Sequence, residues 1–244
     1  MGIGEALARE FSAEDNASLI LVDIDAKSLQ KVAGSLSVPV KTYAADLADI
    51  ESLPELFETI ERENGQVDVL VNNAGIMMLR TLEGTEWEQG EKLLKLDLLS
   101  PMRLMQLALG GMQQRRHGFI INIASMAGVT PIPGSTFYSA AKAGIAIASE
   151  IVRTEVKDFN IDVMTVYPGP ISTNLESNVR QQVNENFFSN LLPTGDRLEI
   201  ARAIYEGYKK KEGRVIFPRF YETFKAIPDL TYRLTELFSP MPRE

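Results

Sequence analysis

The chain has 244 residues, with 25 Lys and Arg against 33 Asp and Glu and a single histidine, long enough for one domain with a well-buried core. Its net charge of −8 speaks against a nucleic-acid partner, which calls for a basic face. With no cysteine and one histidine, disulfides, thiolate or histidine-rich metal centres and a histidine-dependent triad drop out. No apolar run has the length of a membrane span and no signal peptide opens the sequence. A soluble, cytoplasmic protein with no stable membrane insertion and no metal is expected.

Met1-Gly2-Ile3-Gly4 opens the chain, and six short apolar runs follow at 18–22, 40–44, 67–71, 119–123, 161–166 and 214–217. They are rich in Val and Ile and do not alternate with polar residues, the pattern of strands buried on both faces. Between them, apolar residues recur at helical spacing, as in Leu53, Leu56, Phe57 and Ile60, and in Leu93, Leu94, Leu98, Leu104 and Leu107. Alternating strands and helices imply an α/β fold, a doubly wound parallel sheet with helices on both faces. No repeat or linker divides residues 1–244, so a single domain is expected. From about 172 to 195 the chain is polar yet holds Phe187, Phe188, Leu191 and Leu192, which fits a substrate lid. The tail from about 218 to 244 carries Phe220, Tyr221, Phe224, Tyr232, Leu234, Leu237 and Phe238. It is expected to cover the substrate pocket or join an oligomer interface.

Chemistry concentrates in Ser125, Tyr138 and Lys142. Ser125 follows the fourth apolar run, at the carboxyl end of a strand, the edge where open α/β sheets bind ligands. Tyr138 and Lys142 are four residues apart in a helix-prone stretch and so share a face. A free tyrosine titrates near pH 10, too high for a base at neutrality, and an adjacent ammonium stabilises its phenolate. A serine hydroxyl could hold the same substrate oxygen. Alone, Tyr-x-x-x-Lys is a weak signal, because solvated helix faces carry such pairs often.

Other pieces fall in order around it: Gly2-Ile3-Gly4, Asn72-Asn73-Ala74-Gly75 after the third run, and Pro168-Gly169-Pro170-Ile171-Ser172-Thr173 after the fifth. With them the sequence resembles the short-chain dehydrogenase/reductase family, from Gly2 to about Phe217. The resemblance implies a Rossmann-type sheet binding a nicotinamide dinucleotide. Tyr138 would be the general acid/base, Ser125 would position the substrate oxygen, and Lys142 would hold the nicotinamide ribose and tune the tyrosine. Gly2, Ile3 and Gly4 would line the pyrophosphate, and Asn73, Ala74 and Gly75 the adenosine side. Asp46, with Leu47 beside it, would touch adenine, although a residue near a helix N-cap is an equal reading of Asp46. Pro168, Ile171 and Thr173 would flank the nicotinamide.

Asp23 closes the first run 19 residues past Gly4. An acid there accepts hydrogen bonds from ribose hydroxyls and repels a 2′-phosphate, so NAD is expected over NADP. Asp25 reads as a helix cap. His117 reads as a solvated loop residue, Lys209-Lys210-Lys211 as a helix end, Met77 and Met78 as core or substrate contacts, and Trp87 has no evident partner.

Two features depart from the family. Asp97 stands where the family carries an asparagine that helps hold a water of a proton relay. Asp97 could serve through its backbone carbonyl, with its carboxylate as an added acceptor, and its charge would tend to raise the Tyr138 pKa. The first strand and most of the Thr-Gly-x-x-x-Gly-x-Gly pattern are also missing. Met1 is therefore expected to be an internal residue or misassigned start, with roughly a dozen more residues in the native protein; a truncated, non-catalytic binding or regulatory paralogue is the alternative. The expected reaction interconverts a small apolar secondary alcohol and a ketone. A homodimer or homotetramer through the helices near 87–114 and 138–159 is expected.

Overall fold

Each apolar run forms a strand: β1 (Leu19–Asp23), β2 (Val40–Ala44), β3 (Val69–Asn72), β4 (Gly118–Ile123), β5 (Ile161–Pro168) and β6 (Arg214–Phe217). They are seen in a computed structural model that describes residues 2–173, 193–227, 231–233 and 235. Helices α1 (Ile3–Phe11), α2 (Ala26–Ala33), α3 (Leu53–Asn64), α4 (Trp87–Leu94), α5 (Ser100–Arg115), α6 (Thr136–Glu155), α7 (Arg197–Lys209) and α8 (Glu222–Ala226) alternate with them. Asp25 accepts from the Lys27 and Ser28 N–H groups at the start of α2. Asp196 does the same for Leu198 and Glu199 at the start of α7. Each side chain satisfies amides that a helix end leaves bare, so Asp25 is the cap its position suggested.

All strand pairs are parallel. β3, β4, β5 and β6 form one piece in that order, and β1 pairs with β2 in a second. Among the described residues no strand joins β1 to β3, where the family resemblance expects a first strand. Burial records the break. Every residue of β4 is buried, whereas β3 and most of β1 are half-buried, and β2 leaves Lys41 and Ala44 in solvent. Burial on both faces, expected for all six runs, thus holds for β4 and nearly all of β5 but fails for β1 and β2. A strand is enclosed where neighbours flank it, and these two have too few.

The alternating side chains of β4 serve two layers. Ile120 packs with Phe57, Met105, Ala108, Met112, Ile145 and Val163, toward α3, α5 and α6. Phe119, Ile121 and Ile123 pack with Ala6, Leu7, Ile200 and Ile204, toward α1 and α7. Helices therefore cover both faces, as expected of a doubly wound sheet. Of the aromatic tail, Tyr221 and Phe224 join the first layer, and the Tyr221 hydroxyl donates to the Pro193 carbonyl at 3.1 Å. At least this part of the tail closes the core. No helix among the described residues is long and apolar enough to cross a membrane.

Between α4 and α5 the backbone opens into a π-helical turn at Lys95–Leu99. Beyond it the buried phase runs through Pro101, Met105, Ala108 and Met112. Leu104 and Leu107, expected on the buried stripe, are partly buried and pack against the core beside this line. π-Turns of this kind recur at functional sites, and this one carries Asp97 into the interior.

Gly128 follows Ser125 in a short 3₁₀ turn that packs on α6. A Cβ there would lie 2.7 Å from the Ala143 nitrogen and the Lys142 carbonyl carbon. Both are helix backbone and cannot swing aside. Gly128→Ala should cost about 1–3 kcal/mol as overpacking and lower the Tm by several degrees in circular dichroism melts; an unchanged Tm would show that the turn yields freely.

Candidate active site

The carboxyl ends of the parallel strands collect most of the residues singled out above. Asp23 ends β1, Asp46 and Leu47 follow β2, and Asn73, Ala74 and Gly75 follow β3. Ser125 follows β4, and Pro168 ends β5 with Ile171 and Thr173 just beyond. Gly2 begins α1 with no side-chain cap, leaving the first-turn amides to other partners. Gly4 sits so close to the Asn73 side chain that a Cβ would come within 2.6 Å of its Nδ2.

On α6, Tyr138 and Lys142 share a buried face, as their spacing predicts. The Lys142 ammonium donates to the Ile123 carbonyl at 3.0 Å. On its other side the Asp97 Oδ2 lies 3.1 Å away. Asp97 Oδ1 accepts from the Ile76 N–H at 2.9 Å. Oδ2 accepts no well-aligned hydrogen bond, so its charge is balanced by proximity to the lysine. Gly75 completes the junction: a Cβ would come 2.8 Å from Asp97 Oδ2 and 3.3 Å from Lys142 Nζ. The sequence suggests a role for Asp97 through its backbone carbonyl, with the carboxylate as an added acceptor. The structure puts its carboxylate, 1 % exposed, directly against the lysine.

Burial pushes the Asp97 carboxyl up, and Lys142 with the Ile76 N–H pulls it back in part, leaving it above the ordinary carboxylate range. For Lys142, burial pulls the ammonium down, but the Asp97 charge and then Tyr138 outweigh it, and the net direction is up. An opposite charge within hydrogen-bonding reach offsets the cost of desolvation. The ammonium lies 5.7 Å from the centroid of the Tyr138 ring.

Ser125 is buried, and its Oγ accepts from the Ala127 N–H at 3.1 Å. Ala127 in turn packs with Tyr138, Leu93 and Ala141, walled by Met77, Met78, Leu94, Leu98, Ile132 and Phe137. Met77 and Met78 thus stand in the same cluster as the Tyr138 ring. Trp87, for which the sequence offers no partner, meets Phe137 edge-on with ring centroids 6.1 Å apart; nothing in local spacing links residues 50 apart. Asp46 accepts from the Ala48 N–H at 2.9 Å and faces Lys92 at 3.9 Å, an exposed turn-capping role. His117 is exposed beside Asp68. Phe187, Phe188, Leu191 and Leu192 of the expected lid lie outside the described residues, as do Leu234, Leu237 and Phe238. The described margins of that segment are joined, with Ile171 bridging Gly195.

A family model described as short chain dehydrogenase matches residues 1–184. The chain belongs to the short-chain dehydrogenase family. The 3-oxoacyl-[acyl-carrier-protein] reductase FabG of Haemophilus influenzae is 33% identical over 205 residues, covering 83% of this chain and 84% of that one. A short-chain dehydrogenase from Streptomyces avermitilis superposes with a TM-score of 0.81 at 25% identity, over 96% of this chain and 92% of that one. The bulky-bulky ketone specific alcohol dehydrogenase from Comamonas testosteroni gives 0.76 at 26%, over 94% and 89%. ElxO with NADP bound gives 0.79 at 25%, over 91% and 95%. The chain is thus a short-chain dehydrogenase in family and Rossmann-like in fold.

Proposed function

We propose that this chain is an oxidoreductase that interconverts a small apolar secondary alcohol and a ketone with NAD(H), using Tyr138 as general acid/base. The observation that carries the reading is the buried Tyr138–Lys142 face of α6, its ammonium fixed by the Ile123 carbonyl and the Asp97 carboxylate. The residues fit a dinucleotide. Gly2 has open space where a Cβ would stand, and the bare first turn of α1 presents N–H groups suited to phosphate. Gly2, Ile3 and Gly4 would hold the pyrophosphate, Asp23 the adenosine ribose, and Lys142 the nicotinamide ribose. The nicotinamide supplies the hydride chemistry when bound. Ser125 orients the substrate oxygen, and Tyr138 exchanges the proton at its hydroxyl. The apolar wall around Tyr138 favours an apolar substrate.

Preference for NAD rests on Asp23, whose Oδ1 accepts from the Asp25 N–H at 2.9 Å and whose side chain stands in solvent at the end of β1. ElxO holds NADP, so the comparison that matters is direct. kcat/KM for NADH should exceed that for NADPH by about tenfold, worth about 1.4 kcal/mol, and Asp23→Asn should bring the two toward parity. Parity in the parent protein would remove the NAD assignment. Exposed Leu99, Met102, Ile147 and Ile151 on and beside α5 and α6 support self-association through these helices.

The reading is tested by following NADH and NADPH absorbance with a panel of apolar ketones, alongside cofactor-induced thermal shift. Turnover with NADH sustains it, and turnover with NADPH alone would keep the oxidoreductase while removing NAD(H). A thermal shift without turnover would favour a non-catalytic nucleotide-binding protein. Neither response would end both.

A further inference from the structure

Asn122 lies in the middle of a buried polar chain that the chemistry above does not use. Its Oδ1 accepts from Asn72 Nδ2 at 2.7 Å. Its Nδ2 donates to Ser149 Oγ at 2.8 Å and to the Met105 sulfur at 3.0 Å. Ser149 in turn donates to the Ile145 carbonyl one helical turn back, at 2.6 Å. Asn122 and Ser149 are both fully buried. The amide of Asn122 is therefore satisfied on both its oxygen and its nitrogen, and the chain runs in one direction from β3 through β4 to α6.

What this chain connects gives it meaning. Tyr138, Lys142, Ile145 and Ser149 recur every three or four residues, one face of α6. β4 grips that face twice through consecutive residues: the Ile123 carbonyl takes Lys142, and the Asn122 amide takes Ser149. The two grips are seven residues apart, about 10 Å along a helix. Two points so spaced fix both the depth and the rotation of α6 on the strand. The same amide holds Asn72, the residue before Asn73-Ala74-Gly75, while the Ile76 N–H at the far end of that turn is held by Asp97, itself paired with Lys142. Two polar links, Asn72–Asn122–Ser149 and Ile76–Asp97–Lys142, thus tie the two ends of the turn to two points of α6.

We infer that Asn122 is a positioning residue: with Ser149 it sets the register of α6, and so the place of Tyr138 relative to Ser125 and the Asn73 turn. An apolar core would hold the helix equally well against unfolding, since exchanging a buried polar set for apolar groups can be near neutral. It would not fix the register, because apolar contacts have no direction.

The inference rests on the catalytic reading for its kinetic arm, and a second arm is independent of turnover. Ser149→Ala and Asn122→Leu should each lower kcat roughly tenfold, since displacements near 1 Å can cost up to about a hundredfold. KM for the cofactor should rise as well, because Lys142 and the turn after Asn72 move with the same contacts. The double variant should lose no more than the worse single, because both act through one contact. Hydrogen exchange of the Ser149→Ala protein should quicken at the amides of residues 138–142 more than at those of 150–155. Ser149→Ala favours helix and keeps the experiment clear of misfolding should Asn122→Leu fail to fold. Unchanged kcat per folded molecule, losses that multiply in the double variant, or exchange that quickens evenly along α6 would each overturn the inference. If the parent shows no turnover, the catalytic reading fails while the exchange pattern still decides the positioning role.

Discussion

Tyr138→Phe and Lys142→Met should both abolish most activity, but Lys142→Met alone should weaken the fold. Losing a positioned acid/base group costs about 10²–10⁴ in rate, so kcat of either variant should fall by at least the lower figure. Tyr138→Phe keeps the ring that packs against Leu93, Ala127 and Ala141, and its Tm should stay near that of the parent. Lys142→Met strips the counter-charge from Asp97, which keeps only the Ile76 N–H as partner among the described residues. Removing one member of a buried ion pair costs about 3–5 kcal/mol. The deficit should depend on pH. Burial already pushes the Asp97 carboxyl up with the lysine in place, and without the lysine the push is unopposed. A carboxyl raised in the folded state binds protons more readily there than in the unfolded chain. The variant is then most stable below the unfolded carboxylate pKa and loses stability as pH rises through the folded one. Urea unfolding at pH 4 and pH 8 should show a small deficit at the first and a larger one at the second. The double variant Asp97→Leu/Lys142→Met should recover stability without recovering activity. Equal deficits at both pH values would mean that Asp97 is not left charged and buried.

Which parts of this arrangement could be read from the sequence follows from the range of the forces involved. The six strands could, because runs such as Ile120-Ile121-Asn122-Ile123 reflect enclosure that local composition records. The shared face of Tyr138 and Lys142 could, because helical geometry fixes it within one turn. The Asp25 cap could, because its partners are two and three residues away. The π-turn at Lys95–Leu99 could not: Leu93, Leu94 and Leu98 continue an ordinary stripe, and the shift emerges where α5 meets the core. In the sequence the carboxylate of Asp97 reads as an adjunct to its carbonyl, since nothing local shows that Ile76 and Lys142 converge on it. The exposure of β1 and β2 is illegible for a related reason. A Val- and Ile-rich run states what a strand could bury, whereas its neighbours in the sheet decide what it does bury.

Asp97→Asn should move the whole pH–rate profile toward acid, because an adjacent anion favours the protonated form of both its neighbours. The groups acting on the Lys142 ammonium are Asp97, from the π-turn, and Tyr138, from its own helix, with the neutral Ile123 carbonyl supplied by β4. Removing the anion acts on both neighbours in one direction. The Tyr138 phenolate loses a repelling charge and forms at lower pH. The Lys142 ammonium loses the partner that holds it up against burial, and so releases its proton at lower pH as well. Both limbs of a bell-shaped profile should therefore shift the same way, the acid limb tracking the tyrosine and the alkaline limb the lysine. The carboxamide oxygen introduced by this substitution can accept from the Ile76 N–H only with the amide nitrogen turned toward the Lys142 ammonium, so the substitution removes an acceptor from the lysine together with the charge. Asp97→Glu offers the opposite control, with charge kept and reach altered: it should lower kcat while leaving the limbs where the parent has them. Profiles of kcat for the three proteins, measured in the alcohol-oxidising direction, decide the matter. An unmoved or alkaline-shifted profile for Asp97→Asn would show that the carboxylate exerts no field on the pair it touches.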